Sequence, residues 1–337
     1  MATTRITDLI VPEVFEKYSA DETTRKLNIV QAGVMSRDEN LDTLLNGGGK
    51  TFNFPFYDVL TDTGEFVATD DPSDRLVPEK TSAKNLIVPA CTRTCGYEVA
   101  NLDKYLTGDD PMTYIVSKLS DKRMGLLQKQ FLSVVKGIFA NNATASDDYH
   151  SQNDQRLDIS GSTYSKGTTD FSVFALIDAI AKMGDAQDGL GMIMVHSLVF
   201  SNMQKQDIIA TRLPSDGVAP TYYYNGYQII VNDLLPHTNG VCSSYIFGRD
   251  QFRLGFGSVT DPIADYRDEL GGNGMGITTI VNRWRNAIAP KGYSFINNSL
   301  GDEGGPSNTE FETAASWRRV CGSNKTTKMI ELVTREV

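Results

Sequence analysis

A chain of 337 residues, 40% hydrophobic and 22% charged, has the composition of a folded protein with two or three cores, which excludes disorder and fibre. Its 32 basic against 42 acidic residues leave a net charge of -10, which argues against gripping a nucleic acid in a broad basic groove but not against enclosing one. No apolar run approaches a membrane span, so no membrane partner is expected, and the start MATTRITDLIVPEVF lacks the basic-then-apolar order of a secretory signal, which places the chain in the cytoplasm of the cell that makes it.

Residues 1–50 hold two short amphipathic pieces, VPEVFEKYSA and DETTRKLNIVQAGVM, before the flexible Asn46-Gly47-Gly48-Gly49. Neither buries its apolar side alone, so this is expected to be an arm lying against the rest of the chain or a neighbouring subunit, with the glycines as its hinge. In residues 51–100 two β-rich stretches, TFNFPFYDVL and NLIVPACTRTCGYEVAN, flank a long polar, proline-interrupted excursion. An extended two-stranded loop reaching away from the body fits this pattern better than a core.

The longest helical pattern runs from Pro111 to Asn141. Asp109 and Asp110 offer acceptors to its first N–H groups, and Pro111 suits its first turn. Met112, Ile115, Val116, Leu119, Leu127, Phe131, Val134, Val135 and Ile138 recur at three- and four-residue steps, opposite Lys118, Lys122, Lys129 and Lys136. One face is expected to seek a partner and the other water, along a backbone with a body at each end.

After a polar connector at 143–170, a second body begins at Phe171. FSVFALIDAIAKMGDA is predicted as a helix capped by Asp170 and ended at Gly184. A buried strand follows in DGLGMIMVHS, then a short helix in LVFSNMQKQDII, then strands in YQIIVNDLLP, SSYIFGRD and QFRLGFG. LPSDGVAPTYYYNG and VTDPIADYRDELGGNGMG are predicted as long loops. Strands and helices do not alternate regularly, so an α+β fold is expected and a doubly wound sheet is not. ITTIVNRWRNAIAPKGYSFI is strand-like, and SWRRVCGSNKTTKMIELVTREV is predicted as a hairpin turning near Gly322-Ser323-Asn324; pairing these strands beside the long helix would return the chain to its middle.

Nothing in the sequence assembles into an active site, so no catalytic, cofactor-binding or metal-binding residue is assigned. The four cysteines, at 91, 95, 242 and 321, are too sparse for a disulfide framework and are expected to be reduced. Cys91 and Cys95 sit four apart on a predicted strand with no second Cys/His pair near them, which favours burial over metal binding. His196, at a strand end, stands where a general base sits in some enzymes, but no motif fixes a nucleophile beside it; His150 and His237 are in unrelated settings. The glycine run Gly271 to Gly276 lacks the Lys-Ser/Thr of a phosphate loop, and the acidic cluster Asp62, Glu65, Asp70, Asp71 and Asp74 matches no calcium loop. The lysine stripe is expected to be a solvated helix face, with nucleic acid the weaker alternative.

The order of parts, and eight local stretches in sequence, resemble the major capsid proteins of tailed bacteriophages, whose Hong Kong 97-type fold is shared with encapsulin shells. The stretches are FNFPFYDVL with VPEKTSAKNL, LTGDDPM, LIDAIAKMGDAQDGL, MVHSLVFSNMQKQDII, YYYNGYQIIVNDLLP, YIFGRDQFRLGFG, ITTIVNRWRNAIAPKGYSFI and WRRV followed by IELVTRE. The resemblance implies an N-terminal arm at 1–50, an extended loop at 51–100, a peripheral domain with a spine helix at 101–170, an axial domain at 171–279 and C-terminal strands at 280–337 returning to the peripheral domain. It places the loops at 211–225 or 259–276 near a capsomer centre. It implies self-assembly into pentamers and hexamers of an icosahedral virion shell around double-stranded DNA, without sequence-specific binding. The further partners implied are a separate scaffolding protein, a portal and a decoration protein; no cofactor is implied. Lys80 and Lys84 lie where some relatives crosslink subunits, but no partner residue matches. An encapsulin-like compartment shell and a cytosolic enzyme using His196 or Cys91 with Cys95 are the alternative readings.

Overall fold

The computed structural model describes residues 33–57, 83–108, 110–144, 151–207, 209–212 and 221–337, with isolated positions between 65 and 75. In chain order, β1 (Met35–Arg37) leads into α1 (Glu39–Asn46), and β2 (Thr51–Tyr57), β3 (Ala83–Pro89) and β4 (Cys91–Ala100) precede α2 (Asn101–Thr107) and the long helix α3 (Pro111–Thr144). Next come β5 (Arg156–Asp158), α4 (Val173–Ala181), β6 (Leu190–Val195), α5 (Ser197–Lys205), β7 (Ala210–Arg212), β8 (Thr221–Tyr224), β9 (Tyr227–Val231), β10 (His237–Thr238) and β11 (Val241–Gly248). The chain continues through β12 (Phe252–Gly257), β13 (Ile263–Asp268), β14 (Ile277–Pro290) and β15 (Tyr293–Phe295). It closes with α6 (Asn308–Glu312), β16 (Trp317–Arg319), α7 (Asn324–Thr327) and β17 (Met329–Arg335).

Two mixed sheets carry the architecture. One has five strands, β1-β12-β14-β13 with β4 along the other side of β14; the other has eight, β5-β17-β11-β6-β9-β8-β7 with β10 on β11. The C-terminal half of α3 lies in the core between them. Leu127, Phe131, Val134, Val135, Ile138 and Phe139 share one buried cluster with Met194, Tyr245 and Phe247 of the larger sheet and Phe252, Leu254 and Ile288 of the smaller. Phe131 meets Phe252 edge-on at 4.7 Å between ring centroids, and Phe139 stacks on Tyr245 at 5.2 Å, geometries that add to burial. The outer face of the larger sheet is covered by α4 and α5 in a second cluster. A third cluster joins Leu41 and Leu45 of α1 to Phe52, Val88, Ala287 and Ala289.

The long helix is therefore not a uniform two-faced rod. From Leu127 to Phe139 every residue except Lys129 and Lys136 is buried, whereas between Pro111 and Leu126 only Leu119 and Gly125 are. The heptad-like spacing is continuous, but the surroundings are not: two sheets and α6 enclose one half, and the other projects past them. At 1.5 Å per residue the helix spans about 50 Å, more than the core it crosses can enclose. Asp110 accepts from the Met112 backbone N–H at 3.2 Å, supplying the expected cap; Asp109 lies outside the described residues.

Several expectations are corrected. The second-body helix starts from Ser172, whose side chain accepts from Ala175, while Asp170 turns back to accept from Gly167 at 2.6 Å. The stretch 259–276 is not an open loop: Ile263–Asp268 pairs antiparallel with residues 277–282 of β14, because Asp261 and the glycine run supply left-handed turn conformations at both ends. It therefore belongs to the five-stranded sheet, as does β12, while β7 and β8, at 210–212 and 221–224, lie in the other sheet. Residues 317–335 do not form a hairpin. Ser323 caps α7, Lys328 takes a left-handed conformation, and β17 is sent into the eight-stranded sheet between β5 and β11, while β16 pairs with β15. Strands β14, β15 and β16 do lie beside the long helix or its neighbours; β17 packs in the larger sheet. Within the first 50 residues, the described part lies on this chain: Asp38 caps α1 and β1 runs parallel to β12. VPEVFEKYSA and most of the following piece lie outside the described residues.

Candidate functional site

The residues singled out for chemistry do not converge. Cys91 is fully buried on β4, and burial pushes its thiol up to about 11, the opposite of an activated nucleophile. Cys95 is half-buried on the same strand. His196 acts as the N-cap of α5, and among the described residues the hydroxyl in contact with its ring is the Ser197 Oγ, 3.5 Å from Nδ1. His150 lies outside the described residues, as do Asp62, Asp71, Asp74 and Lys80; Lys84 sits on β3. The glycine run forms a tight turn between β13 and β14. Among the described residues no three His, Cys, Asp or Glu side chains cluster as a metal site.

The lysine stripe divides as the helix does. Lys136 pairs with Glu312 of α6 at 2.6 Å, and Glu312 also accepts from Ser133 at 3.1 Å. Lys129 and Lys136 line an open hollow with Leu234, Pro236 and Asn308. Lys122 stays exposed on the projecting half.

That projecting half carries what the sequence reading missed. Leu102, Tyr105 and Leu106 of α2 and Tyr114, Val116 and Met124 of α3 are exposed, Tyr105 to 75% and Val116 to 51%. Ile263 and Tyr266 of β13 and Leu270 at its turn are also exposed. Clusters of large apolar side chains in water mark contact surfaces more often than chance. The signal was present: LTGDDPM breaks the helical pattern at Gly108, whose left-handed conformation ends α2, so three of the six apolar residues lie on a seven-residue helix and three on the projecting half of α3, where only Leu119 and Gly125 are buried. Arg123 crosses from this half to the sheet, its guanidinium 5.7 Å and 6.0 Å from the Phe256 and Trp284 ring centres. A second candidate surface is the β2–β3 ribbon. It is paired from Thr51↔Pro89 out to Tyr57↔Ala83, with Tyr57 80% exposed at its far end. A 340 Å³ hollow lined by Phe54, Phe56, Leu86, Pro290 and Cys321 lies at its base.

A molecule with scattered chemistry and two projecting surfaces suits assembly, and residues 117–328 match the Gp13-like family, described as major capsid protein 13-like. The major capsid protein of Bacillus phage SPP1 is similar to this chain, 30% identical over 334 residues and 96% of each sequence. The chain belongs to the Gp13-like major capsid protein family. Its fold is likewise that of capsid shells: it resembles a subunit of the cyanophage Pam1 capsid with a TM-score of 0.59 at 12% identity, over 99% of this chain and 98% of that one. The holo-SrpI encapsulin complex of Synechococcus elongatus is similar over 100% and 97% of the two chains, with a TM-score of 0.50 at 8% identity. This capsid protein is therefore a virion component of the mixed α and β class expected, and the encapsulin likeness is one of fold.

Proposed function

We propose that this chain builds an icosahedral head shell by self-assembly into pentamers and hexamers, enclosing double-stranded DNA. The observation that carries the reading is the pair of projecting features, an antiparallel ribbon and an apolar half-helix, on a subunit whose relative of 30% identity is a major capsid protein. A shell needs modest contacts repeated by closed symmetry, and features that bury little within the subunit supply them. In this reading residues 1–50 act as an arm, 51–100 as the overlapping loop anchored by β4 in the five-stranded sheet, 101–170 with the spine helix as a peripheral domain, 171–279 as an axial domain whose β12 and β13 join the five-stranded sheet, and 280–337 as strands of which β14 to β16 return toward the peripheral domain while β17 completes the larger sheet. The chain works by packing and carries no catalysis. Its acidic balance suits containment of a duplex without sequence-specific contact. A scaffolding protein, a portal and a decoration protein are the further partners, and assembly takes place in the host cytoplasm.

Negative-stain microscopy of the chain expressed with and without its neighbouring genes tests this. Curved sheets or closed shells are expected, and isolated small particles under every condition defeat the proposal. Deleting residues 61–82, beyond the last ribbon pair, is expected to leave circular dichroism unchanged and to block shells; loss of the folded signal would make that segment part of a core. Tyr105→Ser with Val116→Ser is expected to keep the fold and to lower the yield of assembled particles several-fold, read by sedimentation. Unchanged assembly would remove the apolar half-helix from the contact surface.

A further inference from the structure

Two of the three histidines meet at the start of α5. His196 follows β6 in extended conformation, and its Nδ1 accepts a hydrogen bond from the Leu198 backbone N–H at 3.2 Å. Only a ring with an unprotonated Nδ1 can accept it. His237, from β10, stacks on this ring with centroids 5.0 Å apart and planes 25° from parallel. Among the described residues, the charged and titratable groups acting on His196 are Asp233, from the turn after β9, and His237; the first turn of α5 holds no acidic residue.

We propose that the stacked His196–His237 pair is a proton-operated latch on α5: His196 with an unprotonated Nδ1 keeps the helix capped, and protonation of His196 uncaps it and loosens residues 197–205 from the sheet.

The chemistry of the change has three parts. Protonation turns Nδ1 from acceptor to donor, so it faces the Leu198 N–H with nothing to offer it. It places a cation at the positive end of a helix dipole. It also sets that cation against the stacked His237 ring, which disfavours a charge on His196. Burial holds His196 below the ordinary imidazole range; Asp233 pulls the other way, and His237 pushes it lower still. A group whose folded value is lowered contributes stability that is full above the unfolded value and is lost as pH falls through it. The loosening therefore begins near about pH 6.5 and grows below it.

Helix α5 passes the change on. Val199 and Met203 are buried in the outer core, and Asn202 donates to Glu336, which also accepts from the Phe171 backbone N–H at 2.9 Å. The segments held through Glu336 are thus tied to the same helix, and the latch operates within one subunit without requiring the assembled shell.

Hydrogen–deuterium exchange of the full chain, corrected for the intrinsic pH dependence of exchange, tests the latch on peptides covering residues 197–205. Protection is expected to fall about 5-fold between about pH 7 and pH 5, the worth of one helix cap. His196→Asn, a cap that does not titrate, is expected to hold protection level across that range. His237→Phe keeps a stacking ring but removes the imidazole that disfavours a charge on His196, so it brings the folded value nearer the unfolded one and is expected to make the fall smaller while its onset stays near about pH 6.5. A level wild-type profile, an unchanged fall in His196→Asn, or an undiminished fall in His237→Phe would each overturn the proposal.

Discussion

Gly137→Ala is expected to destabilise the subunit by about 3 kcal/mol or more, a fall in melting temperature of about 6–12 °C, even though the same change on an exposed helix is favourable by about 1 kcal/mol. A Cβ at this position would stand 1.8 Å from the Phe311 carbonyl oxygen and 2.6 Å from the Trp317 Nε1. Neither group is free to yield. The Trp317 Nε1–H donates to that same carbonyl at 2.7 Å, and Asn141, one turn along the helix, donates to the backbone carbonyls of Trp317 at 2.8 Å and Ala314 at 3.1 Å. Phe295 and Phe311 close the rest of the aromatic group around the Trp317 indole. The collision is therefore with backbone clamped on both sides, and the helix must move away from the segment 308–317 as a unit. Differential scanning fluorimetry decides the matter against Gly322→Ala, where an added Cβ meets nothing within 4 Å and the change should stay within about 0.5 kcal/mol. A Gly137→Ala protein as stable as the parent would show that the long helix and the segment after α6 are not in close contact.

Arg319→Met is expected to cost about 3 kcal/mol, measured by urea unfolding, because it strands a carboxylate. The Arg319 side chain is 1% exposed and its Nη1 lies 2.6 Å from Asp154, itself 17% exposed. Asp154 also accepts from the Asn142 side chain at the end of the long helix at 2.5 Å, and the Arg319 Nε donates to the Cys321 carbonyl at 2.8 Å. The pair ties the end of the helix, the segment before β5 and the turn after β16 into one polar knot. Tyr293 adds to it through Gln155, at 2.6 Å. Most of the expected loss comes from the partner left behind, so Arg319→Met with Asp154→Asn should recover part of it. Equal stability of the single and double variants would assign the loss to packing.

The periodic elements were legible. Pro111 with the acidic pair before it marked the start of the long helix, and the run from Leu127 to Ile138 marked a buried one. The two halves of the ribbon were visible as β-rich stretches around a polar excursion. What sequence could not show was what lies beside each stretch. Val116 and Phe131 occupy the same kind of helical position, yet one is half-exposed and the other sealed, because strands more than 100 residues away cover only the second. Met329–Arg335 has the same β-rich character as the strands around the long helix, and only the turn at Ser323 to Lys328 decides which sheet receives it. The candidate site was less legible still. A contact surface has no motif, and the apolar residues of α2 look in sequence like the core residues they are not. The stacking of His196 on His237 joins positions 41 apart and left no trace in the spacing.

The placing of β17 has a consequence for how the subunit comes to be folded. Residues 329–335 sit between β5 at 156–158 and β11 at 241–248, so one side of the larger sheet waits for its latest strand. Until that strand arrives, β11 presents an unpaired edge whose Tyr245, Ile246 and Phe247 are apolar, a template for pairing with another chain. Closing such a long loop is slow, since its entropy is lost before the ladder forms. Nascent subunits at high concentration are thus exposed to wrong pairing for as long as residues 249–328 remain unplaced, and a chain cut short before 329 never leaves that state.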